Sequence, residues 1–251
     1  FKIKTKILED KIKKDLKNGY LPIGIIGIAG TTNTGSVDPL NELGEIAKKH
    51  KLWYMIDAAY GGPAAKIYKK LFYGIEKADS LLINPHKWFF VPFEVACVMV
   101  KKKRNLKDTF NLIPEYLTGG IEKNEREDLM NYSIQLSKDF KALKVWMTIK
   151  VYGTSVLKNA IINDIKMAKY AYDIVNQSKE FLPVHKPELS IFCFQYIPSK
   201  KSINKNLINK KIVSLIEKDG RVFLAGTVIN KENVLRINCT NHRRKEEDVD
   251  F

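Results

Sequence analysis

The sequence predicts an α/β fold in which a mainly parallel sheet is flanked by helices and followed by a small α+β unit. Two observations support this fold class. Short apolar segments of strand length alternate with segments of helical periodicity through the first half of the chain. Shorter strand-like segments around a single helix occupy the last third. With 251 residues the chain can bury a sizeable core in one or two domains.

The first half is read as helix, strand, helix, then further strands. Residues 3–18 carry apolar side chains at helical spacing, and this pattern ends at Gly19. Asp38 is predicted to cap the next helix and Pro39 to be its first residue. The predicted strands are residues 21–29, which are too apolar to face water, and residues 52–57, 80–83 and 95–100.

A polar stretch separates the two halves. Residues 111–137 are predicted to form a mobile loop, and a helix over residues 138–152 and 156–177 follows, with a break near Gly153. Strands at 190–197 and 234–238 enclose a helix near 207–219. We therefore assign residues 1–152 to part of a large domain and residues 153–251 to a small C-terminal domain.

Lys87 is the first candidate for chemistry, because it lies between His86 and Trp88 at the exit of an apolar strand. A buried or half-buried lysine tends to lose its proton, and the neutral amine can form a Schiff base with a carbonyl such as that of pyridoxal phosphate. The chain has 37 lysines among its 43 basic residues, and nearly all must be solvated. Lys87 alone is therefore a weak signal.

Two further strand exits strengthen the interpretation. Asp57 ends a strand 30 positions before Lys87, and the carboxyl ends of parallel strands meet at one edge of a sheet. A carboxylate there can keep a pyridinium nitrogen protonated, although a helix cap or turn residue is an equally simple role for Asp57. Residues 30–36 supply glycines and hydroxyls at a third exit, where a ligand can approach closely.

Together these segments resemble the group II pyridoxal-phosphate-dependent decarboxylases, which include aromatic-L-amino-acid decarboxylase and tyrosine decarboxylase. The matching text is AGTTNTGSVDP at 29–39, DAAYG at 57–61 and NPHKW at 84–88. The likeness continues from about residue 21 to the C-terminal end. It implies a fold of the fold-type I PLP-dependent transferase kind. The family's sequence pattern begins upstream of Phe1, so we expect a C-terminal fragment whose ring-stacking histidine and phosphate cradle lie upstream.

The resemblance also implies roles for six residues. Lys87 would form the internal aldimine with pyridoxal 5'-phosphate, and Asp57 would pair with the pyridinium nitrogen. Thr32 would lie beside the cofactor and Ala59 would pack on its ring. Asn84 and His86 would line the phosphate side or support the lysine, although His86 is also open to the role of a satisfied core histidine. The catalytic set is thus Lys87, Asp57 and His86.

The activity that the resemblance implies is decarboxylation of an L-amino acid, aromatic in the family's pattern of substrates, to an amine and carbon dioxide by a homodimeric lyase. In the family a tyrosine of the mobile loop protonates the product carbanion. Leu129 aligns with that tyrosine here, while Tyr132 and Tyr116 lie three residues after it and thirteen before it. An aldehyde synthase, or another lyase of the same fold, is therefore the alternative.

Composition limits the other functions. The net charge of +15 allows a non-catalytic basic module that binds nucleic acid or a protein partner, but only six of the 43 basic residues are arginine and the basic residues are scattered in short groups. Cys97, Cys193 and Cys239 show no metal-ligand spacing and are predicted to be reduced thiols in a core. No segment has the length of a membrane span, so we expect a cytoplasmic protein without a metal.

Overall fold

The computed structural model describes residues 1–111, 128–200, 202 and 204–251. Its helices are α1 (Thr5–Lys17), α2 (Leu40–Lys49), α3 (Arg104–Phe110), α4 (Lys141–Gln177), α5 (Lys205–Asp219) and α6 (Glu247–Asp250). Its strands are β1 (Gly24–Ile28), β2 (Trp53–Asp57), β3 (Ser80–Ile83), β4 (Cys97–Val100), β5 (Phe181–Pro183), β6 (Ile191–Tyr196), β7 (Ala225–Ile229) and β8 (Glu232–Asn238). No helix in the described ranges is both long and apolar enough to cross a membrane.

The first sheet confirms the predicted α/β class. Its strands lie in the order β1-β2-β3-β4, with β1, β2 and β3 parallel and β4 antiparallel to β3. Helix α2 packs on β1 and β2, because its apolar side buries Leu40, Leu43 and Ile46. The parallel strands therefore end at the same edge of the sheet.

The second sheet is antiparallel, in the order β5-β6-β8-β7, and α5 packs on it. Among the described residues of this sheet, only the start of β6 shares the core of the first sheet, because Ile191 lies in the same buried cluster as residues of β1 and β2, together with Ile161 and Ile165 of α4. The other buried residues of the second sheet, which include Phe192, Phe194 and Leu235, form separate clusters. The division into domains at residues 152 and 153 stays a prediction.

Helix α4 contains the predicted break. Gly153 has φ +76° and ψ 160°, which are non-helical values in a region that side chains other than glycine's rarely adopt. The helix begins at Lys141 instead of residue 138. Of the predicted mobile loop, residues 112–127 lie outside the described residues, and a 3₁₀ turn at Leu129–Tyr132 lies in the remainder.

Several predictions about burial and caps were wrong. Leu21 and Ile23 are each 83% exposed, because strand β1 starts only at Gly24. Asp38 does not cap α2. Its carboxylate accepts the backbone N–H groups of Ile3 and Ile28, both at 2.8 Å. It therefore ties the N-terminal segment to β1, and α2 begins at Leu40.

The cysteine prediction was correct for two residues of three. Cys193 and Cys239 are free and buried, whereas Cys97 is free and exposed at the start of β4. The strand predicted over residues 95–100 is shorter in the structure, where β4 begins at Cys97. Val95 is buried and bonds to His86 instead of pairing with β3.

Candidate active site

The candidate site lies at the edge where the three parallel strands end. Ile28 of β1 pairs with Asp57 of β2, and Asp57 pairs with Leu82 of β3. The segments that follow these strands are consequently neighbours. Ligands of open α/β sheets bind at this edge, beyond the carboxyl ends of the strands.

Asp57 is half-buried as the last residue of β2. Its Oδ1 accepts the backbone N–H of Ala59 at 3.0 Å, and its carbonyl oxygen accepts the N–H of Ala29 at 2.8 Å. Within the described residues, Oδ2 has no hydrogen bond. The carboxylate is thus fixed by one oxygen and leaves the other available to a ligand.

Lys87 follows β3 in a tight turn that is hydrogen-bonded to the exit of β2. The N–H of Asn84 donates to the carbonyl of Ala59 at 3.2 Å, and the N–H of Lys87 donates to the carbonyl of Asn84 at 2.9 Å. Two hydrogen bonds therefore connect the backbone of Lys87 to a residue two positions after Asp57. The backbone segments that carry Asp57 and Lys87 are therefore neighbours at the edge where β2 and β3 end.

The side chain of Lys87 is exposed, which corrects the expectation of a buried or half-buried amine. Among the residues that the structure describes, its Nζ has no hydrogen bond or ion pair. The Oδ1 of Asn84 is buried and lacks a partner in the same part of the chain. Ala59 is 8% exposed beside them.

His86 is tied to the chain that leads into β4. Its Nδ1 lies 3.0 Å from the N–H of Val95 and 2.6 Å from the carbonyl oxygen of the same residue. A single ring nitrogen either accepts or donates, so only one of these contacts is a hydrogen bond at a time. The ring also meets Phe93 edge-on at 4.8 Å between centroids. These contacts occupy Nδ1, whereas Nε2 has no hydrogen bond within the described residues, so both roles considered for His86 stay predictions.

The loop after β1 presents Thr32 to solvent. The hydroxyls of Thr31, Thr34 and Ser36 bond to one another at 2.7 and 2.9 Å. The hydroxyl of Thr32, by contrast, has no partner within the described ranges, while its carbonyl accepts the guanidinium Nε of Arg236 at 2.9 Å. Thr32 is therefore the hydroxyl of this loop that remains free for a ligand.

Glycines allow the first two strand exits to approach each other. The N–H of Gly61 donates to the carbonyl of Ala29 at 3.1 Å, and a Cβ on Gly61 would collide with that carbonyl oxygen. Gly30 has φ +105°, and a Cβ there would lie 3.0 Å from the nitrogen of Gly61. The small residues noted in the sequence thus serve to bring backbones together.

The candidate loop residues lie in different surroundings. Leu129 is 66% exposed, Tyr132 is half-buried in the same 3₁₀ turn, and Tyr116 lies outside the described residues. Lys138 donates to the carbonyl of Leu129 at 2.5 Å. In the part of the chain that the structure describes, no hydrogen bond, ion pair or ring contact connects Leu129 or Tyr132 to the Lys87 turn.

A cofactor with an aldehyde and a basic ring nitrogen fits the groups on this edge. Lys87 supplies an unpaired amine, Asp57 supplies a free carboxylate oxygen, and Asn84 supplies a buried acceptor without a donor. In the described parts of the chain, no cluster of histidine, cysteine and acidic side chains could hold a metal ion. The donor set suits an organic cofactor.

The sequence did not reveal a buried network behind the Lys87 turn. The Trp88 ring stacks on Tyr60 at 4.8 Å with an interplanar angle of 4°, and its Nε1 donates to Oδ2 of Asp164 at 2.8 Å. The Tyr60 hydroxyl bonds to Ser190 and, at 3.2 Å, to Asn238. Tyr60 and Trp88 stand in the recognised motifs, but Asp164 lies in a helix where no local pattern distinguishes it.

Comparison with known proteins identifies the class. The model of the pyridoxal-dependent decarboxylase conserved domain matches residues 1–197, and the chain belongs to this family. The observed fold, with its mixed sheet between helices, is that of the family's fold-type I members. The family is pyridoxal-dependent by definition, and the donor set described above agrees with that cofactor.

Three relatives illustrate the similarity. The chain is 36% identical over 253 residues to aromatic-L-amino-acid decarboxylase of Bacillus atrophaeus, covering 99% of this chain and 53% of that protein. It is 32% identical to phenylacetaldehyde synthase of Arabidopsis thaliana, with coverage of 94% and 49%. The crystal structure of Oryza sativa TDC with PLP and tryptamine superposes with a TM-score of 0.90 at 26% identity, covering 99% of this chain and 52% of that one. The chain spans about half the length of these relatives.

Proposed function

We propose that the natural protein containing this chain is a pyridoxal-phosphate-dependent decarboxylase that converts an L-amino acid with an aromatic side chain to the amine and carbon dioxide. The observation that carries the proposal is the connection of the Lys87 turn to the exit of β2, where Asp57 ends the strand. The relatives named for aromatic substrates support the choice of substrate class.

Each residue has a defined task in this proposal. Lys87 holds the cofactor through its amine, and Asp57 keeps a proton on the ring nitrogen through its free oxygen. When bound, pyridoxal phosphate supplies an aldehyde carbon that captures amines and a pyridinium ring that accepts an electron pair. Carbon dioxide would leave without the electron pair of its bond to Cα, and that pair would be held in the cofactor ring until a proton takes the place of carbon dioxide at Cα. Lys87, as an ammonium group, or a tyrosine of the loop would return that proton.

The remaining candidates shape the site. Thr32 presents its free hydroxyl beside the ring, and Ala59 gives the ring a flat apolar contact. Asn84 places its unpartnered carbonyl oxygen within the turn that carries Lys87. His86 supports the same turn, because its Nδ1 bonds to the backbone of Val95 in the segment that leads into β4. The homodimer and the cytoplasmic location implied by the resemblance remain predictions.

Replacement of Lys87 tests the proposal. Lys87→Ala removes the amine and should abolish the visible absorbance of bound cofactor and the release of carbon dioxide. Lys87→Arg keeps the positive charge but not the nucleophile, so it should fail equally. An exposed lysine of α1, Lys14, provides the matched control, and Lys14→Ala should leave both signals unchanged. Cofactor absorbance that persists in both Lys87 variants would end the proposal.

An aldehyde synthase is the second candidate function, and Leu129 is the observation that favours it. A leucine side chain cannot donate a proton to Cα. Relatives named phenylacetaldehyde synthase and 4-hydroxyphenylacetaldehyde synthase show that the family includes such enzymes. In that reaction dioxygen takes two electrons from the amine carbon and is reduced to hydrogen peroxide, and water then releases the aldehyde and ammonia after carbon dioxide has left.

Product analysis separates the two functions. An aromatic amino acid should yield one equivalent each of amine and carbon dioxide if the first proposal holds. Aldehyde with ammonia and peroxide, shifting toward amine in Leu129→Tyr, would establish the second. Tyr132→Phe is the matched variant, because loss of amine production there would assign the proton donor to Tyr132.

A further inference from the structure

Asp164 is a buried carboxylate directly behind the Lys87 turn. The residue is fully buried on α4, whereas nearly all charged side chains lie at the surface. The other buried carboxylate, Asp38, satisfies two backbone N–H groups, each at 2.8 Å. Asp164 instead receives the indole of Trp88 on Oδ2 at 2.8 Å. Its Oδ1 makes no hydrogen bond of ordinary geometry within the described residues, although the Asn241 backbone amide and the Arg244 guanidinium lie close enough to stabilise its charged form. An apolar residue here would avoid the desolvation of a carboxylate.

Trp88 connects this carboxylate to both principal residues of the site. It follows Lys87 directly in the chain and is fully buried. Its ring stacks on Tyr60, which follows Asp57 by three residues and is held at its hydroxyl by Ser190 and Asn238. The indole is therefore clamped on its face by Tyr60 and at its N–H by Asp164. Because Trp88 is the residue next to Lys87, holding its buried ring restrains the backbone of the turn from which Lys87 projects.

We propose that Asp164 is a positioning residue for Lys87: its carboxylate holds the Trp88 indole and thereby fixes the turn that presents the Lys87 amine toward Asp57. This inference rests on the proposed role of Lys87 in cofactor binding. A hydrogen bond from a neutral donor to a carboxylate is stronger than one between neutral groups, which suits an anchor. The anchor acts from α4, far along the chain from the residue that it positions.

Protonation of Asp164 should weaken the anchor. Burial raises the pKa of Asp164 from 3.8 to about 6, while the Trp88 hydrogen bond, the Arg244 guanidinium and the Asn241 backbone amide oppose this shift. Cys239 and Tyr60 are the other titratable groups that face it. Burial raises the pKa of both, so neither gains a charge near neutral pH. The hydrogen bond is thus charge-assisted above about pH 6 and neutral below it.

Cofactor affinity in the full-length protein tests the inference without measuring activity. Asp164→Leu leaves the buried indole N–H unsatisfied, and we expect the cofactor dissociation constant to rise about tenfold or more. Asp164→Asn keeps an acceptor oxygen and should stay within about threefold of wild type. Asp173→Leu, at an exposed position of the same helix, is the matched control and should not change binding. An Asp164→Leu protein that binds cofactor as wild type does, even with a lower melting temperature, would overturn the inference.

A double variant covers the case in which Asp164→Leu does not fold. Replacing both partners in Trp88→Phe/Asp164→Leu removes the unsatisfied group, so the protein should fold while cofactor binding stays weakened. Wild-type affinity in this folded double variant would refute the anchor.

Tryptophan emission in the cofactor-free protein gives an independent measurement. Trp53 and Trp146 are 40% and 58% exposed, so their replacement by Phe isolates the buried Trp88. We expect a change in Trp88 emission with a midpoint near pH 6, and its loss in Asp164→Asn. A titration that persists in Asp164→Asn contradicts the role of Asp164. Retention of cofactor in Lys87→Ala would instead refute the proposed role of Lys87, whereas a Trp88 titration that depends on Asp164 would still show that the carboxylate holds the indole.

Discussion

Asp164 gives the protein a pH-dependent contribution to stability. Because burial raises its pKa to about 6, the folded protein binds a proton at this carboxyl group more tightly than the unfolded chain does. The contribution is fully present below the unfolded pKa of 3.8 and is lost as the pH rises through about 6. A shift of this size corresponds to up to about 3 kcal/mol.

Asp164→Asn removes this titration, so the stability of wild type relative to the variant should fall by up to about 3 kcal/mol between about pH 4 and pH 7. Urea denaturation at several pH values measures the difference, and taking the difference cancels the other titrating groups. Parallel stability curves for the two proteins would show that the carboxyl group titrates normally.

Gly61 tests the close approach of two strand exits. A Cβ at this position would collide with the carbonyl oxygen of Ala29, so Gly61→Ala should destabilise the protein by about 1–3 kcal/mol and weaken cofactor binding. Gly226→Ala is the matched control, because its new Cβ would meet Val213 no closer than 3.4 Å. Equal stability of both variants in thermal denaturation would contradict the packing described here.

At the scale of elements, the important feature is that strand exits and not helices carry the site. Asp57, the Thr32 loop and the Lys87 turn all lie at the carboxyl ends of three parallel strands. The antiparallel β4 is the outer strand of this sheet, next to β3. The second sheet adds support, since Arg236 of β8 holds the carbonyl of Thr32 at 2.9 Å. The site is therefore assembled from segments more than 200 residues apart.

The break in α4 is a second feature at this scale. Gly153 has a positive φ with open space around it, so Gly153→Ala should cost about 1–3 kcal/mol through backbone strain alone. Thr154→Ala, at the adjacent exposed position, should change stability little. A stable Gly153→Ala protein would mean that the helix can continue through this point.

For the whole molecule, the two sheets are held together by a shared core and by a few polar contacts. Glu188 accepts the N–H of Val37 at 2.9 Å and the ammonium of Lys2 at 2.5 Å, which connects the second sheet to the loop after β1. Glu188→Ala should lower stability by about 1 kcal/mol and speed hydrogen exchange at Val37. Glu188→Gln keeps an acceptor for the N–H of Val37, so it should lower stability and speed hydrogen exchange at Val37 less than Glu188→Ala does. Unchanged exchange at Val37 in Glu188→Ala would show that this contact does not restrain the loop.

The sequence was sufficient to predict the parallel part of the sheet and the neighbouring exits of β2 and β3, since apolar strands with polar exits follow a strong local pattern. The pairing of Asp57 and Lys87 with one cofactor stays a prediction. It did not predict β5, β7 or α3, because these elements are short and depend on pairing or packing with distant segments. The sequence also did not predict the exposure of Lys87 or the proposed role of Asp164. Both depend on which segments surround a residue, and residues 88 and 164 meet only in the folded chain.

The most direct test of the account identifies the lysine that carries the cofactor. The full-length protein loaded with pyridoxal phosphate would be treated with borohydride, digested, and analysed by mass spectrometry for the phosphopyridoxyl group. Among the 37 lysines of this chain, the account predicts attachment at Lys87. Attachment at any other lysine, or at none, would contradict it.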